Sequence, residues 1–132
     1  MSPPSPVQLI NGVEFLLWLA GRRQRLVVYH RSMVPTLQPG DEILFNPRSY
    51  TQRRPQPGEI IVLVHPQQPG LPLVKRVERI LEEKIWVVGD NGEASTDSRQ
   101  FGAVDLPQVL GQVTCIFSRP VLAVPLKPPA RR

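Results

Sequence analysis

Proline occurs 16 times in this chain of 132 residues, and its placement limits the fold more than any other feature. The ring fixes φ, removes a backbone donor, and breaks both helix interiors and central strands. Prolines crowd the start (Pro3, Pro4, Pro6), the stretch from Pro47 to Pro72, and the end (Pro120, Pro125, Pro128, Pro129). Strands and loops with few long helices are what such a chain can form. A helical window opens at Val7 and runs to Ala20, with apolar residues at 9, 10, 13, 16, 17 and 20 on one face and Gly21 as a stop. Beyond it the pattern is β. Strands are expected at Leu26–Tyr29, Asp41–Asn46, Glu59–His65, Leu73–Leu81, Lys84–Val88 and Gly111–Phe117, the fourth and fifth pairing across Glu82-Glu83. Leu106 to Val109 reads as one helical turn. The sum is a single mostly β domain with one N-terminal helix. Residues 1–25 are the mobile lead and helix, 26–119 the β domain, and 120–132 a proline-rich basic tail expected to pack weakly.

The formal charge is +5, and its distribution is uneven. Arg22, Arg23, Arg25 and Arg31 face a single acid, Glu14, in the first 31 residues; Arg48, Arg53 and Arg54 form a second group, and Arg131 and Arg132 close the chain. A solvated basic surface is the plain reading, and an anionic partner or lipid the alternative. Nucleic acid is excluded as a partner, because no aromatics interleave with the basic residues and no recognition-helix pattern is present. No segment approaches the roughly 20 apolar residues that span a bilayer. Val13 to Ala20 contains Glu14 and ends at Gly21-Arg22-Arg23, so the positive charges follow the apolar stretch, the reverse of a signal peptide. The chain is therefore expected to be soluble, cytoplasmic and monomeric, with shallow membrane contact through Phe15, Leu16, Trp18 and Leu19 as the alternative. Cys115, the only cysteine, lies in the apolar run Val113 to Phe117 and is expected to be packed rather than reactive. His30 and His65 belong to no zinc spacing, and no metal or other cofactor is expected. His65 ends a strand before Pro66, an ordinary edge position.

Simple packing does not demand the composition of certain segments. Ser32 precedes the turn residues Val34-Pro35-Thr36, where a hydroxyl can stand clear of the sheet and reach a carbonyl carbon; taken alone it is a turn serine. Strand alternation in Leu73-Val74-Lys75-Arg76-Val77 turns Lys75 away from Val74 and Arg76. A lysine pressed into an apolar pocket loses hydration and its pKa falls. A fall of three pKa units costs about 4 kcal/mol, at about 1.36 kcal/mol each. Such a lysine needs a functional reason, and a neutral amine beside a serine is a general base that requires no histidine. Taken alone, Lys75 is a snorkelling surface residue. In Gly89-Asp90-Asn91-Gly92-Glu93-Ala94-Ser95-Thr96-Asp97-Ser98-Arg99, Asp97 and Arg99 can pair across a turn and Ser95 can orient an amine.

Taken in order, these segments resemble the signal-peptidase-like serine peptidases. The residues that carry the resemblance are Ser32-Met33-Val34-Pro35-Thr36-Leu37, Gly40-Asp41, Lys75-Arg76-Val77, and Gly89-Asp90-Asn91 with Ser95-Thr96-Asp97-Ser98-Arg99 and Gly102. It runs from about Val28 to Val113. The fold it implies is the β-barrel-type domain shared with the LexA C-terminal region. By the same resemblance Ser32 attacks, Lys75 is the base, Ser95 holds the lysine, Asp97 and Arg99 support the site, and the Ser32 N–H serves the oxyanion. Met33 and Pro35 are assigned to substrate contact, and the partner is a protein precursor that loses a short N-terminal extension. The family usually has glycine or serine two places before the nucleophile, where a serine hydroxyl can donate to the oxyanion; here His30 stands there, either donating from its ring or crowding the substrate.

No membrane anchor is expected in the chain, and only a short link separates Lys75-Arg76-Val77 from Gly89-Asp90-Asn91. This compact form looks most like the proteases that mature nickel-type superoxide dismutase, whose helical N-terminus ends in an arginine cluster, as Leu16 to Arg25 does here. The expected substrate is therefore the dismutase precursor. The alternatives are leader-peptide removal at a membrane surface and a LexA-like self-cleaving regulator, the latter disfavoured because some 25 residues before the first strand are too few for a DNA-binding domain.

Overall fold

The structure is a computed structural model, and residues 4–120 are described. The expected tail from 120 onward lies, apart from Pro120, outside the described residues, as does the start of the lead. The elements are α1 (Gly12–Leu19), β1 (Gln24–Val27), β2 (Glu42–Asn46), β3 (Ile60–Val64), β4 (Pro72–Leu81), β5 (Lys84–Val88), α2 (Ser98–Phe101), β6 (Val104–Asp105) and β7 (Val109–Ser118). The strands form one curled sheet of seven in the order β1-β2-β7-β3-β4-β5-β6, every neighbouring pair antiparallel. The architecture is mostly β with one N-terminal helix, as the proline pattern requires.

β3 is the sheet's middle in the physical sense. Its sequence Ile-Ile-Val-Leu-Val has no polar face, and it is buried on both sides. Ile60 and Val62 pack with Val28, Met33, Leu37, Ile43, Phe45, Val113 and Ile116, while Ile61 and Leu63 pack with Val77, Ile85, Val87 and Val104. Strand alternation thus divides one continuous apolar run between two cores. Cys115 is fully buried, as its apolar neighbours imply. The turn at Leu106–Gln108 forms a 3-10 helix, and the Glu82-Glu83 turn joins β4 to β5 with Leu81 opposite Lys84.

The N-terminal helix is shorter than its periodicity predicts and shows a different face to the sheet. Residues 8–10 run extended instead: the Ile116 N–H donates to Gln8 O and the Ile10 N–H to Ile116 O, both at 2.9 Å. Asn11 then caps the helix, its side chain accepting from the Glu14 N–H at 2.8 Å. Pairing with β7 satisfies backbone groups that a longer helix would have to satisfy internally. Leu17 and Trp18 are half-buried, Trp18 packing on Phe117 at 4.6 Å between ring centroids. Glu14 turns inward with them and accepts from Arg23 at 2.9 Å and Thr114 at 2.7 Å. Val13 and Leu16, which the spacing assigns to the core, are each 66% exposed.

Candidate active site

The loop between β1 and β2 is pinned from both ends. The Val28 N–H donates to Asp41 O and the Gly40 N–H to Val28 O, closing the loop at its neck. Asp41 is fully buried; it accepts from the Gln38 N–H at 2.8 Å and pairs with Arg119 at 2.7 Å. Within the loop Met33 and Leu37 are sunk in the core at 1% and 0% exposure. These apolar pegs fix the residue just before them, Ser32, which is buried. The Val34–Pro35 peptide bond is cis, and Pro35 is exposed.

A second loop, after β5, is stitched to the first. The Asn91 N–H donates to Ser32 O at 2.8 Å, Asn91 Nδ2 to Arg31 O at 3.1 Å, and Thr36 Oγ1 to Asp90 Oδ2 at 2.6 Å. Asp90 is held in turn by two guanidinium nitrogens of Arg76, Nε and Nη2, each at 2.9 Å. Arg76 also donates to Gly58 O at 2.7 Å and Ser5 O at 2.9 Å, so the N-terminal lead is tied into the same network at residue 5. Gly89 makes the close approach: a Cβ there would run into the Ser95 side chain and stand 2.6 Å from Ser32 O.

Lys75 comes from β4, where register sets it opposite Ile61. It is 3% exposed, and the hydrogen bond its amine makes among the described residues goes to Ser95 Oγ at 3.1 Å, not to Ser32. Ser95 Oγ donates to Asp97 Oδ2 at 2.6 Å. A carboxylate has no proton to give, so the direction of that bond is fixed and the serine's lone pair faces the lysine. Asp97 is fully buried and also accepts from the Gly89 N–H at 2.9 Å and from Arg99 Nε at 2.9 Å. Burial pushes the Lys75 amine down to about 8; the Asp97 charge opposes this and the Arg99 charge adds to it. Burial alone would raise Asp97, but hydrogen bonds from Arg99, Ser95 and Gly89 hold it well below the usual carboxylate range.

Ser32 and Lys75 line one cavity of about 430 Å³. Its long walls are the end of β1 with the residue that follows it (Leu26 to Val28) and the start of β4 (Pro72 to Val74), strands that are not neighbours in the sheet but that curling brings face to face. His30 and Met33 lie on the lining as well, His30 exposed at the surface. Ser95, Asp97 and Arg99 stand behind the lysine through hydrogen bonds, and Pro35 is not part of the lining. His65, which sequence spacing places at an unremarkable strand end, also lines the cavity and is buried. No sequence signal connects it to Lys75, ten positions away; strand register does. The Thr36–Asp90–Arg76 network has no such signal either, although Gly89-Asp90-Asn91 and Arg76 both lie in segments marked out by their composition. Among the described residues no cluster of His, Cys, Asp or Glu could hold a metal ion.

Comparison with known proteins adds a third line of observation. Residues 12–78 and 78–118 match the family described as signal peptidase, peptidase S26. Mitochondrial inner membrane protease subunit 2 of Danio rerio is 30% identical over 126 residues, covering 76% of this chain and 69% of that protein. Mitochondrial ATP-independent inner membrane protease subunit 1b of Arabidopsis thaliana is 31% identical over 108 residues, 64% of each chain.

Proposed function

The chain belongs to the signal peptidase, peptidase S26 family, whose members are serine peptidases, and from that premise we propose that it is an endopeptidase that cuts an N-terminal extension from a protein precursor. In this reading Ser32 is the nucleophile and Lys75 its general base. The neutral amine takes the Ser32 proton as Oγ attacks the scissile carbonyl. The resulting ammonium gives that proton to the departing amine, leaving an ester on Ser32. Water, deprotonated by the same amine, then hydrolyses the ester. Ser95 presents its lone pair to Lys75, and Asp97 offsets the positive charge that forms there. The Ser32 N–H, helped by the His30 ring, serves the oxyanion. The observation that carries the reading is a lysine 3% exposed on the wall of the same cavity as Ser32.

The cavity's two strand walls fit an extended peptide, as a precursor's processing segment would be. The exposed apolar side of α1 supports the second part of the reading, that cutting takes place at a membrane surface. Val13, Leu16 and Leu19 are each more than 60% exposed, and Arg22 and Arg25 follow. The attachment proposed is through this exposed face of α1; among the described residues no helix is long and apolar enough to cross a membrane. Both relatives are named inner membrane proteases. A nickel superoxide dismutase precursor stands as a candidate substrate on the resemblance of residues 16–25 and the short link from 75 to 89 alone.

The test is incubation of the purified protein with a leader-bearing precursor and, separately, with the dismutase precursor, followed by N-terminal sequencing of the products. Cleavage of either that is lost in Ser32→Ala and Lys75→Ala supports the peptidase. Retained cutting in Ser32→Ala overturns the nucleophile.

A further inference from the structure

His65 has a ring nitrogen with nothing to do. The residue is 7% exposed and follows β3 directly, its backbone N–H donating to Leu71 O at 2.9 Å. Its Nδ1 accepts from the Gln67 N–H at 3.0 Å. A ring nitrogen that accepts carries no proton, so the imidazole N–H is on Nε2. Nε2 has no hydrogen-bond partner among the described residues. The ring is held against Phe101 at 5.1 Å between centroids and lines the cavity. Buried polar groups are nearly always satisfied, and one left open on a cavity wall points to something that enters the cavity.

Register fixes where the ring stands. Lys75 is opposite Ile61 and Pro72 opposite Val64, with His65 next in line. Counting from Ile61, His65 is about four strand positions beyond the lysine, on the order of 13 Å at about 3.3 Å per residue. An even number of positions keeps both side chains on one face of the sheet. An extended peptide spans the same distance in about four residues. Threaded between β1 and β4, it aims its backbone groups at those strands, whereas the His65 ring projects from the sheet face and meets a side chain.

We propose that His65 is a specificity-determining residue of the cleft, its Nε2–H selecting a side-chain oxygen acceptor (Asn, Asp, Gln or Glu) about four residues from the scissile bond. The inference rests on the peptidase reading above for its register but not for its binding test. Two matched peptides, one carrying Asn and one the near-isosteric Leu at the position about four residues from the cut, are compared, with companion pairs placing the change on either side of the bond. Affinity is measured for the uncleaving Ser32→Ala protein and kcat/KM for the otherwise unaltered enzyme. The Asn peptide is expected to bind and to be cut about five- to tenfold better, the worth of one hydrogen bond. His65→Phe keeps the packing on Phe101 without the donor and should erase the preference, so that within this variant the Asn and Leu peptides bind and are cut alike. His65→Gln, which restores an N–H near the Nε2 position, should recover it. Equal affinity for both peptides at every position tried, or a preference that survives His65→Phe, overturns the proposal. Should no peptide be cut while the Ser32→Ala protein still discriminates Asn from Leu, the peptidase reading falls and His65's role stands.

Discussion

Burying an amine sets two measurable quantities at once. In the folded chain Lys75 titrates at about 8 against an ordinary 10.5, so between those values the unfolded state binds more protons and stability rises with pH. Below pH 8 the full cost, about 3 kcal/mol, is present. Lys75→Met removes it. Denaturant unfolding at pH 7 should show the variant more stable by up to that amount, the gap closing as pH rises toward 10.5; a gap independent of pH would mean the lysine is solvated. The same titration governs the proposed chemistry, because only the unprotonated amine can take the Ser32 proton. kcat/KM should rise about tenfold per pH unit below 8 and level above it, and Lys75→Ala should lower it by about a thousandfold or more. Gly89 offers a steric check on the same site. Gly89→Ala drives a methyl into Ser95 and Ser32 O, and a loss of about 1–3 kcal/mol in stability, with activity falling further than that loss explains, is the expected outcome.

α1 shows how an element's composition and its docking can disagree. Its apolar residues go nearly all round, and the face its spacing picks out, with Val13 and Leu16, is not the one that docks. The choice was made by Glu14, whose bonds to Arg23 and Thr114 turn Leu17 and Trp18 inward and leave Val13, Leu16 and Leu19 outside. An apolar edge beside Arg22 and Arg25 is what an anionic bilayer surface binds. Co-sedimentation with vesicles containing an anionic lipid should therefore be salt-sensitive and should be lost in Leu16→Glu/Leu19→Glu, with peptide cleavage in solution unchanged. Vesicle binding that survives the double change would sink the peripheral-attachment reading. The strands, by contrast, were legible to within two residues at either end, β1 lying two residues earlier than expected, since β-branched runs bounded by proline and glycine have few other options. The elements missed were the shortest, α2 and β6, which no periodicity can announce. α2 exists because Asp97 caps it, accepting from the Arg99 N–H at 3.1 Å.

At the scale of the whole molecule, β3 couples the two cores, and a cavity there is felt by both. Ile61→Ala, under the strand position of Lys75, should cost about 2–5 kcal/mol in urea unfolding. A cost under about 1 kcal/mol would show that the core Ile61 shares with Leu63, Val77, Ile85, Val87 and Val104 is not held through this strand. What the sequence by itself determined is local and periodic: a β domain forced by proline placement and strand-period runs, one helix, and ordered segments whose residue types suit Ser–Lys chemistry. Tertiary structure alone decided which face α1 shows, that β1 and β4 flank one cavity, that Asp90 joins Arg76 to Thr36, and that His65 stands on the same wall as Lys75. The reason is physical. Propensity and alternation act over a few residues, whereas the cavity is made by the curl of the sheet and the register of strands distant in the chain, which depend on every pairing at once.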